Sequence, residues 1–218
     1  MNNLVGGLLI HARLLQQQAE KPDKVKAIAE LFTTNLEKVA LHGKNLLSLS
    51  RPTKPRFEPL DLNVVLNETT DTLILTGVLK HFKIEKTLCH DCGYIYGDRN
   101  LLEQVIRNLE INAAHAMQSG QVLRLSTRSF QNGEYIQMEF IDSGCGIPQE
   151  NMEKIFQPFF TTKSEGQGTG LGLPIVQEII DQHNGFLTIE SELGHGTAVR
   201  VHLPVAKDVL FTKNLQLS

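Results

Sequence analysis

Apolar side chains return every seven residues near the start of the chain, at Val5, Ala12 and Ala19 with Leu8 and Leu15 between them, until Pro22 breaks the pattern. That is the spacing of a helix with one buried stripe. A second helix follows, with Val25, Phe32, Val39 and Leu46 at one heptad position and Ile28, Asn35, His42 and Leu49 at the other. The two make a helical hairpin over residues 1–50. So thin a pair covers little apolar surface alone, and a second copy completes such a seam as a four-helix bundle. A homodimer through residues 1–50 is expected. The prolines of "RPTKPRFEP" end the hairpin and set a linker at residues 51–60.

From residue 61 to residue 205 the pattern switches repeatedly between helix and strand periods. Asp61 stands as the N-cap of a helix reaching about Leu79, and "KIEKTLC" and "YIYGD" read as short strands. Another helix begins at Asp98, carries Leu102, Val105, Ile106 and Leu109 on one stripe, and ends by Gly120. "VLRLSTRSF" and "YIQMEFIDSG" form a hairpin through Asn132 and Gly133, a pair that accepts positive φ. "PIVQEIIDQHNG" is a further helix, with Pro174 in its first turn and Gly185 past its end. "FLTIES" and "AVRVHLP" close the unit as strands. Residues 206–218 show no clear period and read as a C-terminal tail.

Composition narrows the partners more than the fold. The chain has 218 residues, 41% hydrophobic and 21% charged, which is ordinary for globular proteins. With 21 basic and 24 acidic residues and a net charge of -3, it carries no electrostatic footprint for nucleic acid or an anionic membrane. No apolar run nears about eighteen residues and no leader pattern opens the chain, so a cytoplasmic segment without direct membrane contact is expected. The three cysteines make no even disulfide framework. Cys89, His90 and Cys92 have the knuckle of a zinc site, but no second ligand pair follows, and free thiols are the expectation.

Three stretches carry candidate chemistry. Asn108, Asn112 and His115 are spaced four and three apart on one helix and share a face. Two amide oxygens there suit Mg²⁺ on nucleotide phosphates, which takes one or two protein ligands and keeps its waters. "DSGCGIP" follows a strand directly, placing Asp142 at the strand end where a carboxylate can accept from an exocyclic amine. "GQGTGLGLP" runs into a helix N-terminus, whose free amides and dipole favour an anion. Between them, "FQPFFTTK" sets Phe156, Phe159 and Phe160 beside Lys163. Taken singly, each of these has an ordinary alternative: a solvated helix face, an Asp-Gly turn, a flexible loop, aromatics closing a core.

In this order the asparagine pair, "DSGCGIP", "FQPFFTTK", "GTGLGLPIV" and "SELGHGTAV" resemble the asparagine, first glycine, phenylalanine, second glycine and third glycine boxes of sensor histidine kinases, within the wider family of gyrase, Hsp90 and MutL. The resemblance spans residues 5–204. It implies an α+β chain: the helical hairpin, then a two-layer α/β sandwich over residues 61–205 that binds ATP. Asn112, helped by Asn108, would hold Mg²⁺, and His115 stands where many relatives have a phosphate-contacting lysine. Asp142 would bind the adenine amine in a pocket shaped by Gly144, Gly146 and Ile147, with Thr197 reaching adenine through water. Gly168, Thr169, Gly170, Leu171 and Gly172 would wrap the phosphates, and Phe159, Phe160 and Lys163 would edge a small lid.

Cousins that hydrolyse ATP carry a glutamate where this chain has Asn108. Glu110 is no substitute, because two residues along a helix turn a side chain by about 200 degrees. A protein without a water-activating base saves the γ-phosphoryl for another nucleophile, so a kinase is expected. "NNLVGGLLIHARLL" resembles the acceptor helix of the subgroup whose box reads His-Asp-Phe-Asn-Asn-Leu. Aligned on Asn2, Asn3 and Leu4, the acceptor histidine falls two positions before Met1. His11 then lies twelve positions too late and is structural. Asn3 takes the place of a polar group that helps dephosphorylate the partner, a response-regulator receiver domain. The resemblance implies a histidine kinase unable to phosphorylate itself as this chain stands. A non-catalytic ATP-binding scaffold and an ATP hydrolase are the competing readings.

Overall fold

The computed structural model describes Val25, Ile28, Ala29, Phe32, residues 55–163 and residues 168–206. The chain divides into two compact units, one of Met1–Thr53 with Thr162–Thr169, the other of Lys54–Thr161 with Gly170–Ser218. In the first, Val25, Ile28, Ala29 and Phe32 are helical and half-buried, the spacing of the second hairpin helix. The rest of the hairpin, including Asn3 and His11, and the tail beyond Ala206 lie outside the described residues.

The second unit is two layers deep. Its elements are β1 (Glu58–Leu60), α1 (Leu62–Leu75), β2 (Lys83–Thr87), β3 (Ile95–Gly97), α2 (Arg99–Ala116), β4 (Val122–Phe130), β5 (Tyr135–Asp142), α3 (Gly172–Gln182), β6 (Phe186–Glu192) and β7 (Gly196–Pro204). Five strands make one mixed sheet in the order β2-β4-β5-β7-β6, with β2 parallel to β4 and the other pairs antiparallel. β1 and β3 form a separate antiparallel pair. Side chains alternate across a strand, so Ile136, Met138 and Phe140 of β5 turn to the helices with Leu123 and Leu125 of β4 and Val201 and Leu203 of β7, all buried. The opposite face is polar: Arg200 binds Glu139 at 2.6 Å and Glu190 at 2.8 Å, and Ser126 donates to Glu139 at 3.2 Å. This is the α/β sandwich that the resemblance implies.

The predicted apolar stripe of α2, Leu102, Val105, Ile106 and Leu109, is fully buried. It meets Val65, Leu66 and Leu73 of α1 and Ile175, Val176 and Ile179 of α3 in one core. Boundaries differ from the sequence reading in instructive ways. α1 stops at Leu75 rather than near Leu79, because Gly77 takes φ 90° and Leu79 N–H returns to Leu73 O at 3.1 Å. That turn puts Leu79 back in the core at 1% exposure, which prolonged the apolar pattern beyond the helix. α2 ends at Ala116, and the chain is already extended at Met117, ahead of Gly120. Part of the linker set at residues 51–60 is strand: Glu58, Pro59 and Leu60 pair with Gly97, Tyr96 and Ile95.

The expectation of free thiols is corrected for two of the three cysteines. Cys89 and Cys92 are joined in a disulfide, their Cα atoms 5.8 Å apart, inside the usual span for such a bond. The loop between β2 and β3 folds back because Cys89 N–H donates to Thr127 Oγ1 and Cys89 O accepts from Asn63 Nδ2. Cys145 is free and exposed.

Candidate functional site

α2 is the element that carries the asparagine pair, and it is held at both ends. At its start Asp98 caps the helix, Oδ1 accepting from Leu101 N–H at 3.2 Å and Oδ2 from Arg56 N–H at 2.7 Å. His183, at the end of α3, accepts from Asp98 N–H through Nε2 at 3.0 Å and donates from Nδ1 to Ile179 O at 2.7 Å. These two bonds assign the neutral tautomer with the proton on Nδ1. His183 is 2% exposed, and that burial pushes its imidazole below the usual histidine range. Nothing local in "DQHNG" marks this histidine for a role, since its partner is 85 residues away.

At the other end of α2, Cys145 N–H donates to Ala116 O at 3.0 Å, which fastens the "DSGCGIP" turn to the helix terminus. Gly144 packs so closely there that a Cβ would meet Ala116 O, and Gly146 (φ 68°) lies against Glu192 O with no space for a side chain. Asp142 ends β5 opposite Thr197 of β7. It is 7% exposed, and Gly144 N–H donates to its Oδ1 at 2.8 Å. Burial raises the Asp142 carboxyl, while the backbone N–H groups of Gly144 and Thr197 act against that shift.

Ser191 of β6 is a residue that sequence reading missed. It accepts from Ile147 N–H at 2.8 Å and donates to Gly196 O at 2.8 Å, and its Oγ lies 2.9 Å from Thr197 Oγ1. A hydroxyl has one proton, so with Ser191 giving its own to Gly196 O, Thr197 is the donor in the third bond. Thr197 therefore presents lone pairs, as an acceptor, to anything on its other side. A cavity of about 310 Å³ lies beside these groups, lined by Asp142, Thr197, Ser191, Ile141, Ala198 and their neighbours. Asp142 and Thr197 are the sequence-predicted residues that reach it. Asn108 and Asn112 do not line it.

The asparagines face the start of α3 instead. Asn108 Nδ2 lies 3.5 Å from Gly172 O, and a Cβ on Gly172 would stand 3.6 Å from Asn112 Nδ2. Both amides are half-buried, whereas His115 is exposed in the last turn of α2. α3 begins after Leu171 with no side-chain cap on its first turn and no acidic residue in it, so its opening amides retain the positive end of the helix dipole. Gly170 (φ 63°) accepts from Phe159 N–H at 2.9 Å, and the backbone contact leaves no room for a Cβ. Phe159 itself takes φ 69° and exposes 67% of its surface, while Phe160 is half-buried. Lys163, Gly168 and Thr169 belong to the other compact unit, with Thr162–Thr169, and their assignment rests on the resemblance alone. No group of three or more metal-ligating His, Cys, Asp or Glu side chains occurs among the described residues.

Glu110 lies on the far side of α2, as its spacing from the asparagines requires. It is 0% exposed and bonded to Thr70 of α1.

Residues 97–207 match the model of the histidine kinase-, DNA gyrase B- and HSP90-like ATPase family. Sporulation kinase C of Bacillus subtilis (strain 168) is 35% identical over 192 residues, 88% of this chain and 44% of that protein. The chain thus spans less than half the length of this curated relative. Among solved structures, the catalytic domain of histidine kinase ThkA is 29% identical with a TM-score of 0.60, over 68% of this chain and 95% of that one. ThkA in complex with the response regulator protein TrrA is alike in fold, with a TM-score of 0.75 at 23% identity over 94% of this chain and 59% of that one.

Proposed function

The chain belongs to the histidine kinase-, DNA gyrase B- and HSP90-like ATPase family, and from that premise we propose that it is the ATP-binding and dimerisation core of a sensor histidine kinase of the cytoplasm. The observation that carries the reading is α2 itself. One glycine turn fastens Asp142 to its C-terminal end, and the uncapped start of α3 faces its two asparagines. The residues fit Mg-ATP chemically. Asp142 and Thr197 are acceptors suited to an adenine amine, directly or through water. Asn108 and Asn112 offer amide oxygens for a hydrated Mg²⁺. Gly170, Leu171 and Gly172 open a helix N-terminus that suits phosphate. Gly144, Gly146 and Ile147 form the turn beneath the base, His115 and Phe160 stand at the margin, and Phe159 packs on Gly170. When bound, ATP supplies the γ-phosphoryl group. The protein's task is to hold and orient it while keeping water unactivated.

Hydrolysis is disfavoured by two positions. Asn108 cannot take a proton, and Glu110 is sealed between α1 and α2. The phosphoryl group is proposed to go to a histidine that is not among these 218 residues, and then to an aspartate of a response-regulator receiver domain, with residues 1–50 dimerising and Asn3 assisting the reverse reaction. The complex of ThkA with TrrA supports that choice of partner class.

Titration calorimetry with Mg-ATP tests the reading. Micromolar binding to the whole chain is expected, weakened at least about tenfold in Asp142→Asn, since a bond to a charged acceptor is worth roughly 1.5–3 kcal/mol. With γ-labelled ATP, neither acid-labile label on the chain nor steady phosphate release is expected. Label on His11, or steady release abolished by Asp142→Asn, overturns the acceptor assignment or the kinase reading respectively.

A further inference from the structure

The Cys89–Cys92 bond has no part in the nucleotide reading, and its place in the fold gives it a part of its own. The segment between β2 and β3 is fastened in two places. Upstream, Cys89 belongs to a ring of three hydrogen bonds. Its N–H donates to Thr127 Oγ1 at 2.9 Å, Thr127 Oγ1 donates to Asn63 Oδ1 at 2.7 Å, and Asn63 Nδ2 donates back to Cys89 O at 2.7 Å. Thr127 is buried, so the ring anchors Cys89 to fixed positions on β4 and α1. Downstream, the segment holds the end of β7: Tyr94 O accepts from Ala206 N–H at 2.7 Å, and Ile95 bridges Val205. His90 and Asp91, both exposed, are the only residues between the two cysteines. Beyond that exposed dipeptide, the disulfide is what couples the anchored half of the segment to the half that holds residues 205 and 206.

A permanent staple is a poor description of this bond. Closing a loop of four residues removes little entropy from the unfolded chain, and it changes the folding constant by only roughly twentyfold. The core runs through all three helices and the sheet, so the chain keeps its fold with the bond open or closed. Both cysteines are half-buried, within reach of a small thiol. No group of three metal-ligating side chains includes them among the described residues, so a metal site does not compete for the thiols. In the cytoplasm, where the reading above places the chain, thiol buffers keep static disulfides rare, and those that form are usually transient or redox-sensing.

We propose that Cys89 and Cys92 are a reversible redox pair that exchanges with thiols of the glutathione class, its closed state holding Tyr94 and Ile95 firmly against the end of β7 and its open state loosening that hold. The compartment argument rests on the proposed function; the loop length, the exposure and the two attachments do not.

Opening begins when a glutathione thiolate attacks one sulfur of the pair, the S–S bond breaks and a mixed disulfide forms. A second glutathione thiolate then displaces the cysteine from the mixed disulfide. Two electrons pass to the protein, each cysteine sulfur ends with a proton, and glutathione disulfide leaves. Closing is the reverse, with glutathione disulfide as the oxidant.

The test equilibrates the whole folded chain in buffers of reduced and oxidised glutathione, quenches by alkylation and reads the labelled peptides by mass. Cys145 is free and exposed, so it reports the completeness of labelling in every sample. Cys89 and Cys92 are expected to pass together from unlabelled to fully labelled within the range of glutathione ratios found in the cytoplasm. A pair that stays closed at every ratio until urea unfolds the chain is a structural staple, and a pair labelled at every ratio is two ordinary thiols. Either result overturns the proposal. Hydrogen exchange on the same samples reads the hold on β7: the Ala206 amide should exchange several-fold faster in the open state, with the amides of β5 unchanged. Cys89→Ser with Cys92→Ser should exchange at Ala206 as the open wild type does, whatever the glutathione ratio. Equal Ala206 exchange in the open and closed states overturns the coupling to β7. Absence of Mg-ATP binding counts against the nucleotide reading instead, and the labelling and Ala206 exchange still decide the case of the cysteine pair.

Discussion

Thr197 shows how much at the scale of one residue depends on counting protons. Its hydroxyl is committed as donor to Ser191, because Ser191 spends its own proton on Gly196 O. What Thr197 has left is acceptor capacity, which matches the water-linked contact to adenine that the resemblance implies. Thr197→Val should then weaken Mg-ATP roughly threefold to tenfold, about the value of one neutral hydrogen bond, while Thr197→Ser should bind nearly as the wild type does. Calorimetry on both separates lost bonding from lost packing. Gly146 is constrained by space. Its φ of 68° and its contact with Glu192 O exclude a Cβ, and Gly146→Ala should cost at least about 2 kcal/mol in urea unfolding. The glycines of "DSGCGIP" were legible in the sequence as a turn. The neighbours that demand them, Ala116 at the end of α2 for Gly144 and Glu192 in β6 for Gly146, were not.

At the scale of elements, α2 is a clamped beam. His183 ties its start to the end of α3, the "DSGCGIP" turn ties its end to β5, and Thr70 with Glu110 ties its middle to α1. The His183 clamp has its own pH signature. Burial holds the folded imidazole below its ordinary 6.5, so below that pH the unfolded chain takes up a proton that the folded chain refuses. Stability therefore falls as pH drops through about 6.5. In His183→Gln that acid-side fall should shrink, read as urea midpoints at about pH 5.5 and pH 7.5. Helix content and order were legible from the 3.6-residue period. The ends were less so: Leu79 returns to the core through a glycine turn and imitates one more helical turn.

Over the whole molecule, the mixed sheet with helices on one face explains why the strands alternate so regularly, and why Glu139, Arg200 and Glu190 lie together on the far side. The other compact unit contributes Val25, Ile28, Ala29 and Phe32, half-buried on one helical stripe. If residues 1–50 dimerise as proposed, the 24.3 kDa chain should sediment at twice its mass, and Ile28→Asp with Phe32→Asp should return it to a monomer that still binds Mg-ATP. A wild-type monomer in sedimentation velocity at micromolar concentration would refute the dimer.

The sequence by itself determined which segments are helices and strands and the asparagine and glycine positions that carry the resemblance, and it was that resemblance that implied the two-layer class. Those features are local: a hydrophobic period, a cap, or a spacing of three and four along one helix. Tertiary structure decided the rest. It closed Cys89 onto Cys92, brought Ser191 under Thr197, placed His183 against the cap of α2, and set Glu110 against Thr70 of α1. Each of these depends on which distant group ends up within 3 Å, and on how much water is left there to compete, and a linear pattern of apolar and polar residues carries neither quantity.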